Sequence, residues 1–321
     1  MSLKNVKDVK AKAQKASSLA KKVKAKKGGE GGGNKKVLII LTVVIFVGLF
    51  FVGNHFDIFD DILPTAGVPA AEGEIRVHFI DVGQADSILI QSADNAVLID
   101  TAHRRNEADL IAYLQQQGIE TLDVVVGTHP HADHIGSKPG ILDTFNVLEV
   151  WMPYATHNTA TYERFIDAID RNNIPVNRTE AGDIMEAGQI RMTAVAPHSR
   201  GHSQDLNRYS IVLHMQFGQT SFLFTGDTVI YNEEYMVTSG RNIRADVMQV
   251  AHHGSHTSSS EDFLDAVDAH TAVISVGAGN TYGHPHQVVL DRLGDRNMDI
   301  LRTDQHGHIV LVTDGENIRR E

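Results

Sequence analysis

Six consecutive residues, His129-Pro130-His131-Ala132-Asp133-His134, carry three imidazoles and one carboxylate. On an extended or tightly turned backbone, this alternation aims two pairs of donors at two neighbouring points. Imidazole nitrogen and carboxylate oxygen together suit Zn²⁺, Mn²⁺ or Fe²⁺, and donors packed this densely predict two ions rather than one. A histidine-rich surface loop is the plainer reading in a chain with 18 histidines. That reading gives no reason for the spacing to follow directly on residues 122–128, an apolar, β-branched run with the character of a buried strand.

Other apolar runs end in the same way. Val97-Leu-Ile is followed by Asp100, and Phe222-Leu-Phe-Thr-Gly by Asp227, with Gly226 allowing the backbone close to a site. Residues 246–251 run into His252-His253-Gly-Ser255, and the run 273–276 leads on to Tyr282-Gly-His284-Pro-His286. Each alone is a weak signal, because an acid after a strand is more often a helix cap. Their recurrence at one kind of position, the C-terminal end of a strand, is where α/β folds place their sites. Zero cysteines exclude thiolate ligands and disulfides.

The elements that must hold these residues alternate along the chain. Strands are expected over 75–80, 87–91, 96–100, 122–128, 147–151, near Val176, and over 190–196, 208–217 and 220–224. A second half adds strands at 245–251, 271–276, 299–302 and 308–313. Helices are expected over 106–117, 159–172, 232–239, 261–268 and 286–296. This α/β pattern predicts two sheets packed face to face with helices outside.

Charge divides the chain sharply. Residues 1–36 hold 12 lysines against Asp8 and Glu30, a formal +10, while the remaining 17 basic and 38 acidic residues give −21. After residue 36 every cation is arginine except Lys138. Between the two parts, residues 37–53 carry no charge, at the short end of what spans a bilayer. A core helix would show a polar face, and no small-residue cleavage site follows promptly as in a signal peptide. The expectation is therefore a basic cytoplasmic tail over 1–36, a single-pass transmembrane helix over 37–53, a linker over 54–73 and an extracytoplasmic domain over 74–321 at the cell membrane. Contact with membrane lipids falls to residues 37–53 and the basic tail, which is either a weak amphipathic helix on anionic lipid or a solvated segment. Nothing calls for an obligate protein partner.

Residues 79–87, 128–136, 224–227, 252–255 and 282–286 match, in order, a known pattern. The chain resembles the metallo-β-lactamase superfamily, in the branch of the C-terminal domain of the DNA-uptake protein ComEC, which phosphorylcholine-esterase-like relatives share. The resemblance covers about residues 74–313 and implies an αββα sandwich with a two-metal site. It assigns His129 and His131 to one ion, Asp133 and His134 to the second, and Asp227 to a bridge between them. His284 would complete the second site and one of His252 and His253 the first, the other acting as support or in catalysis. Asp100 would orient the 129–134 loop from behind, and Asp86 would shape the pocket. Many members of the superfamily take a further histidine before the bridging aspartate. His198 and His202 stand in that region here, but neither follows a strand in the expected way, and the branch instead carries an asparagine near Asn207.

The cofactors implied are two divalent ions, Zn²⁺ or Mn²⁺, acting through a metal-bridging hydroxide. Asp133, His253 and His286 are the candidate catalytic groups, the two histidines as proton donors to a leaving alkoxide. Asn207, Ser255 and Asn280 are candidate substrate contacts. Apart from Lys138, no lysine stands near the motifs to bind a lactam carboxylate, so the expected reaction is hydrolysis of a phosphodiester, in DNA, a lipid or a choline-phosphate ester. A net charge of −21 makes a poor host for DNA. Acyl or thioester hydrolysis of glyoxalase II or lactamase type is the enzymatic alternative, and a non-catalytic DNA-uptake accessory domain is the other.

Overall fold

The computed structural model of the protein describes residues 70–198 and 203–321. The expected tail and anchor, most of the linker, and His202 lie outside the described residues. Among the described residues no helix is long and apolar enough to cross a membrane.

Two sheets carry the architecture. The first holds eight strands, in the spatial order β15 (Ile318–Arg320), β14 (Ile309–Thr313), β1 (Ile75–Phe79), β2 (Ile88–Gln91), β3 (Ala96–Ile99), β4 (Thr121–Val126), β5 (Asn146–Pro153) and β6 (Val176–Thr179). The second holds seven, in the order β13 (Asp299–Arg302), β12 (Thr271–Ile274), β11 (Val247–Gln249), β10 (Thr220–Phe224), β9 (Val212–Phe217), β8 (Ile190–Ala196) and β7 (Ile184–Ala187). The strands that matter for the site are β3 (Ala96–Ile99) and β4 (Thr121–Val126) in the first sheet, with β10 (Thr220–Phe224), β11 (Val247–Gln249) and β12 (Thr271–Ile274) in the second. β3, β4 and β5 (Asn146–Pro153) pair in parallel, as do β10, β11 and β12. Their C-terminal ends therefore share one edge of each sheet.

β4 shows why its sequence is a continuous apolar run rather than an alternation. Val124 and Val126 pack into the core between the sheets, against Phe222, Phe224 and Val247. Leu122 and Val125 face the other way, into the layer formed by helices α1 (Glu107–Gln116), α3 (Lys138–Thr144) and α4 (Ala160–Asn172). A strand covered on both faces has no solvent side to mark with polar residues. The second sheet is covered on its outer face by α5 (Ile230–Thr238), α6 (Glu261–Val267) and α7 (Gln287–Asp295). The layers are thus helix, sheet, sheet, helix, the expected α/β sandwich.

Local signals fix the helix ends. The Thr159 side chain accepts from Tyr162 N at the start of α4, and Asn173 closes it in the left-handed region at φ 52°. Several elements depart from the sequence reading. β7 (Ile184–Ala187) and β15 (Ile318–Arg320) were not expected; both are short edge strands stabilised by a neighbour's ladder rather than by their own residues. The strand expected from residue 208 begins only at Val212, because Leu206–Tyr209 forms a 3-10 turn capped by Asp205. Within and after the histidine run lie two short helices, α2 (Ala132–Ile135) and α3.

Phe222 is fully buried between the sheets. Phe222→Ala is expected to lower stability by about 3–5 kcal/mol, read from urea unfolding followed by circular dichroism; a loss below ~1 kcal/mol would contradict this packing.

Candidate metal centre

The site forms where β3, β4, β10 and β11 end, and a single carboxylate organises one side of it. Asp100, 1% exposed, leaves β3 in the left-handed region at φ 56°. Its Oδ1 accepts Thr128 N at 2.9 Å and its Oδ2 accepts the Thr128 hydroxyl at 2.6 Å. The same Oδ2 takes His134 Nδ1–H at 2.7 Å. Because the Thr128 hydroxyl donates its proton to Asp100, its lone pair is left for His129 Nδ1–H at 3.1 Å. One buried carboxylate thus fixes two imidazoles, each with Nδ1 as donor and Nε2 turned forward. On the opposite wall His253 Nδ1 donates to Ser275 O at 2.8 Å, which leaves its Nε2 forward as well.

Asp227 stands where these nitrogens converge. Its Oδ2 lies 3.3 Å from His134 Nε2, 3.8 Å from His129 Nε2 and 3.7 Å from His252 Nε2. Its Oδ1 is 3.8 Å from His253 Nε2. His131 Nδ1 sits 2.9 Å from His129 Nε2. Asp133 Oδ2 approaches His253 Nε2 at 3.6 Å and His134 Nε2 at 3.9 Å. Two donor groups share Asp227, one with His129 and His131, the other with His134, His253 and Asp86. Within the second group Asp86 faces the Nδ1 sides of His134 and His253, at 3.8 and 3.9 Å. Those nitrogens are already hydrogen-bonded, so Asp86 backs the two imidazoles, and Asp133 meets their free Nε2 faces.

The donor set fits divalent ions. His134 Nε2, His253 Nε2 and Asp227 Oδ1 are buried with no hydrogen-bond partner. Native interiors rarely leave such groups unpaired. A neutral imidazole lone pair and an ionised carboxylate facing each other are what a cation takes up. The buried His/Asp cluster is suited to divalent metals.

The two consecutive histidines sit on one backbone kink. His252 and His253 both adopt left-handed φ, 54° and 55°. This kink turns consecutive side chains to the same cavity, His252 Nε2 to 3.7 Å from Asp227 Oδ2 and His253 toward Asp133 and His134. Gly226 is also left-handed, and a Cβ there would lie 3.0 Å from the Thr128 side chain.

Other expected residues are placed differently. His284 stays at the rim, its ring 6.3 Å from that of His253 and its Nδ1 3.4 Å from Gln84 Nε2, outside both donor groups. Asn280 is a correction. Its amide donates to Gly277 O and His284 O and accepts from Tyr282 N and His284 N, so its capacity is spent on its own loop rather than on a substrate. Ser255 is likewise buried, with its hydroxyl 3.0 Å from Thr257 Oγ1. His286 precedes α7, and its Nδ1 accepts His256 N at 3.1 Å. Asn207 is buried in the 3-10 turn with Oδ1 unpartnered. His198 stacks on Tyr235, with ring centroids 3.9 Å apart.

Sequence reasoning missed Gln249, whose Nε2 donates to Asp86 at 2.8 Å while its Oε1 accepts Thr225 N and Gly226 N. A lone glutamine at the end of a buried strand carried no signal except its polarity there.

Electrostatics divide the histidines. Burial holds His129 well below the ordinary imidazole value and also lowers His131 and His252. Burial opposes the charged forms of His134 and His253 too, but carboxylates overcome it. Asp227, Asp100 and Asp133 raise His134, and Asp227 and Asp86 raise His253 to about 9. The same imidazoles hold Asp227 and Asp133 below the carboxylate range against burial, whereas burial raises Asp86 to about 6.

Comparison with known proteins agrees with this geometry. The family model of the metallo-beta-lactamase superfamily matches residues 80–278. The chain is 31% identical over 259 residues to ComE operon protein 3 of Bacillus subtilis, covering 75% of this chain and 33% of that protein. It is 30% identical over 238 residues to competence protein ComA of Neisseria gonorrhoeae, covering 74% and 32% respectively. The chain thus spans about a third of the length of these curated relatives. Among solved structures, the metallo-beta-lactamase fold protein YhfI of Bacillus subtilis aligns with TM-score 0.51 at 13% identity, covering 74% of this chain and all of that one, a likeness of fold.

A proton on His253 stabilises the metal-free fold fully below its ordinary value of 6.5, and that stabilisation is lost as pH rises through about 9. The urea midpoint of the metal-free chain is therefore expected to fall across this window. Metal affinity is expected to rise across it, because a bound ion displaces the proton. A metal-free midpoint that is flat or rises would contradict the assignment.

Proposed function

The chain belongs to the metallo-β-lactamase superfamily, and we propose that within it this chain is a membrane-anchored, extracytoplasmic two-metal phosphodiesterase. One observation carries the reading: two groups of imidazole and carboxylate donors share Asp227, and in one of them His134 Nε2 and His253 Nε2 have no hydrogen-bond partner. His129, His131 and Asp227, with His252 beside them, would hold one ion; Asp133, His134, His253 and Asp227 would hold the other. Two divalent ions at such a site supply Lewis acidity and an acidified water.

The protein's own residues would do the rest. Asp100, through Thr128 and directly, keeps the His129 and His134 lone pairs forward. Asp86 and Gln249 back the second pair of imidazoles. His284 and His286, half-buried at the rim, would be candidates to protonate a leaving group.

Phosphoester rather than acyl chemistry is favoured by the cations available. The one lysine after residue 36 is fully buried, so no lysine of this domain is free to hold a substrate carboxylate. The competence proteins among the relatives make DNA the first diester to try, against a net charge of −21 after residue 36 that disfavours tight phosphate binding. Lipid and choline-phosphate diesters follow. Membrane attachment rests on the uncharged run 37–53 and its lysine-rich flank.

The test is hydrolysis of bis(p-nitrophenyl) phosphate by the full-length chain in detergent, loaded with Mn²⁺ or Zn²⁺. Metal-dependent turnover is expected, lowered at least about 100-fold in Asp227→Asn and in His131→Ala. Absence of turnover with two ions bound per chain would overturn the phosphodiesterase reading and favour acyl chemistry.

A further inference from the structure

Lys138 stands apart from every other cation of the domain. All the rest are arginines, and Lys138 is fully buried beneath the histidine loop. Its Nζ donates to Val126 O at 2.8 Å and to His134 O at 3.4 Å, so one ammonium grips the chain where β4 ends and where the loop's last donor sits. It also lies 3.8 Å from Asp100 Oδ1, the carboxylate that takes His134 Nδ1–H through its other oxygen. The Phe165 ring closes the slot from below, 5.8 Å from Nζ.

The slot is cut for a lysine. A Cβ on Gly127 would come within 2.9 Å of Lys138 Cε, so the glycine beside Val126 is what lets the stem pass. A guanidinium is wider, and its planar fork matches neither this single carbonyl pair nor the narrow passage. A buried charge without a partner is costly, and here the ammonium and the Asp100 carboxylate face each other in the same dry layer.

We propose that Lys138 is a positioning residue of the metal centre: by tying both ends of loop 127–134 and facing Asp100, it holds the Asp100–His134 link that presents His134 Nε2 to an ion. The inference rests on the metal-centre reading above. Lys138 touches no substrate and no ligand atom, and acts through Asp100 and the backbone of His134. Partners at this remove typically change metal affinity by about 10–100-fold.

The experiment uses the full-length chain in detergent, with Co²⁺ titrated against a competing chelator and followed by its ligand-field absorption. Wild type is measured first. If it binds no Co²⁺, the metal-centre reading falls and this inference with it. If wild type binds, Lys138→Met, which keeps the length of the side chain and removes its charge, is expected to weaken affinity by about 10–100-fold. Its ligand-field spectrum should change while its far-ultraviolet circular dichroism stays native. Affinity and spectrum equal to wild type, whatever the loss in Tm, would show that the lysine only fills the core and would overturn the inference alone.

Should Lys138→Met not fold, the double variant Lys138→Met/Asp100→Asn leaves no lone buried charge and decides the matter. It is expected to fold and bind Co²⁺ no more weakly than Asp100→Asn, since both changes break one link. A double variant weakened by a further tenfold, or one that also fails to fold, would overturn the proposal.

Discussion

The geometry of the centre depends on the burial of one carboxylate. Asp100 sits in a dry layer behind the histidine loop and spends its oxygens on Thr128 and His134. A carboxylate in such a layer must accept hydrogen bonds, and its need for donors dictates which nitrogen of each imidazole carries the proton. Through that choice the lone pairs of His129 and His134 face the same point. Asp227 arrives there from the other sheet, so the site exists only when the two sheets are packed against each other.

That arrangement costs the fold something. Asp100, Ala102, His252 and His253 all hold left-handed backbone, a conformation unfavourable to residues with a Cβ. Several buried polar atoms lack partners around Asp227. Natural sequences tend to break local rules at functional sites and to rely on the surrounding core for stability. Here the inter-sheet core, with Phe79, Phe222 and Phe224 at its centre, supplies that support. A bound cation would remove the unpaired groups, which links metal occupancy to stability.

The readable part of the fold was the part governed by periodicity. β4, α4 and the parallel strands of both halves declare themselves because burial on two faces, or on one helical stripe, leaves a residue pattern. β7 and β15 do not, since an edge strand is decided by what it pairs with. At the site, residues 129–134 were legible because ligand spacing is a local property. The different placements of His252 and His253 were not, because a backbone kink rather than residue type sets them. Asn280 was misread for a related reason: an amide in a loop has the same sequence signature whether it faces a ligand or its own backbone. Gln249 meets Asp86 across 163 residues of sequence, and nothing near it in the chain announces that contact. The apolar run 37–53 lies outside the described residues and stands on its composition alone.

The central claim is that two cation sites flank Asp227. Anomalous X-ray diffraction from crystals of the metal-loaded protein, collected on either side of the metal absorption edge, tests it most directly. The account predicts two peaks sharing the Asp227 carboxylate, one against His129 and His131 and the other against Asp133, His134 and His253. A peak that avoids Asp227, or no peak in a fully loaded crystal, would contradict it.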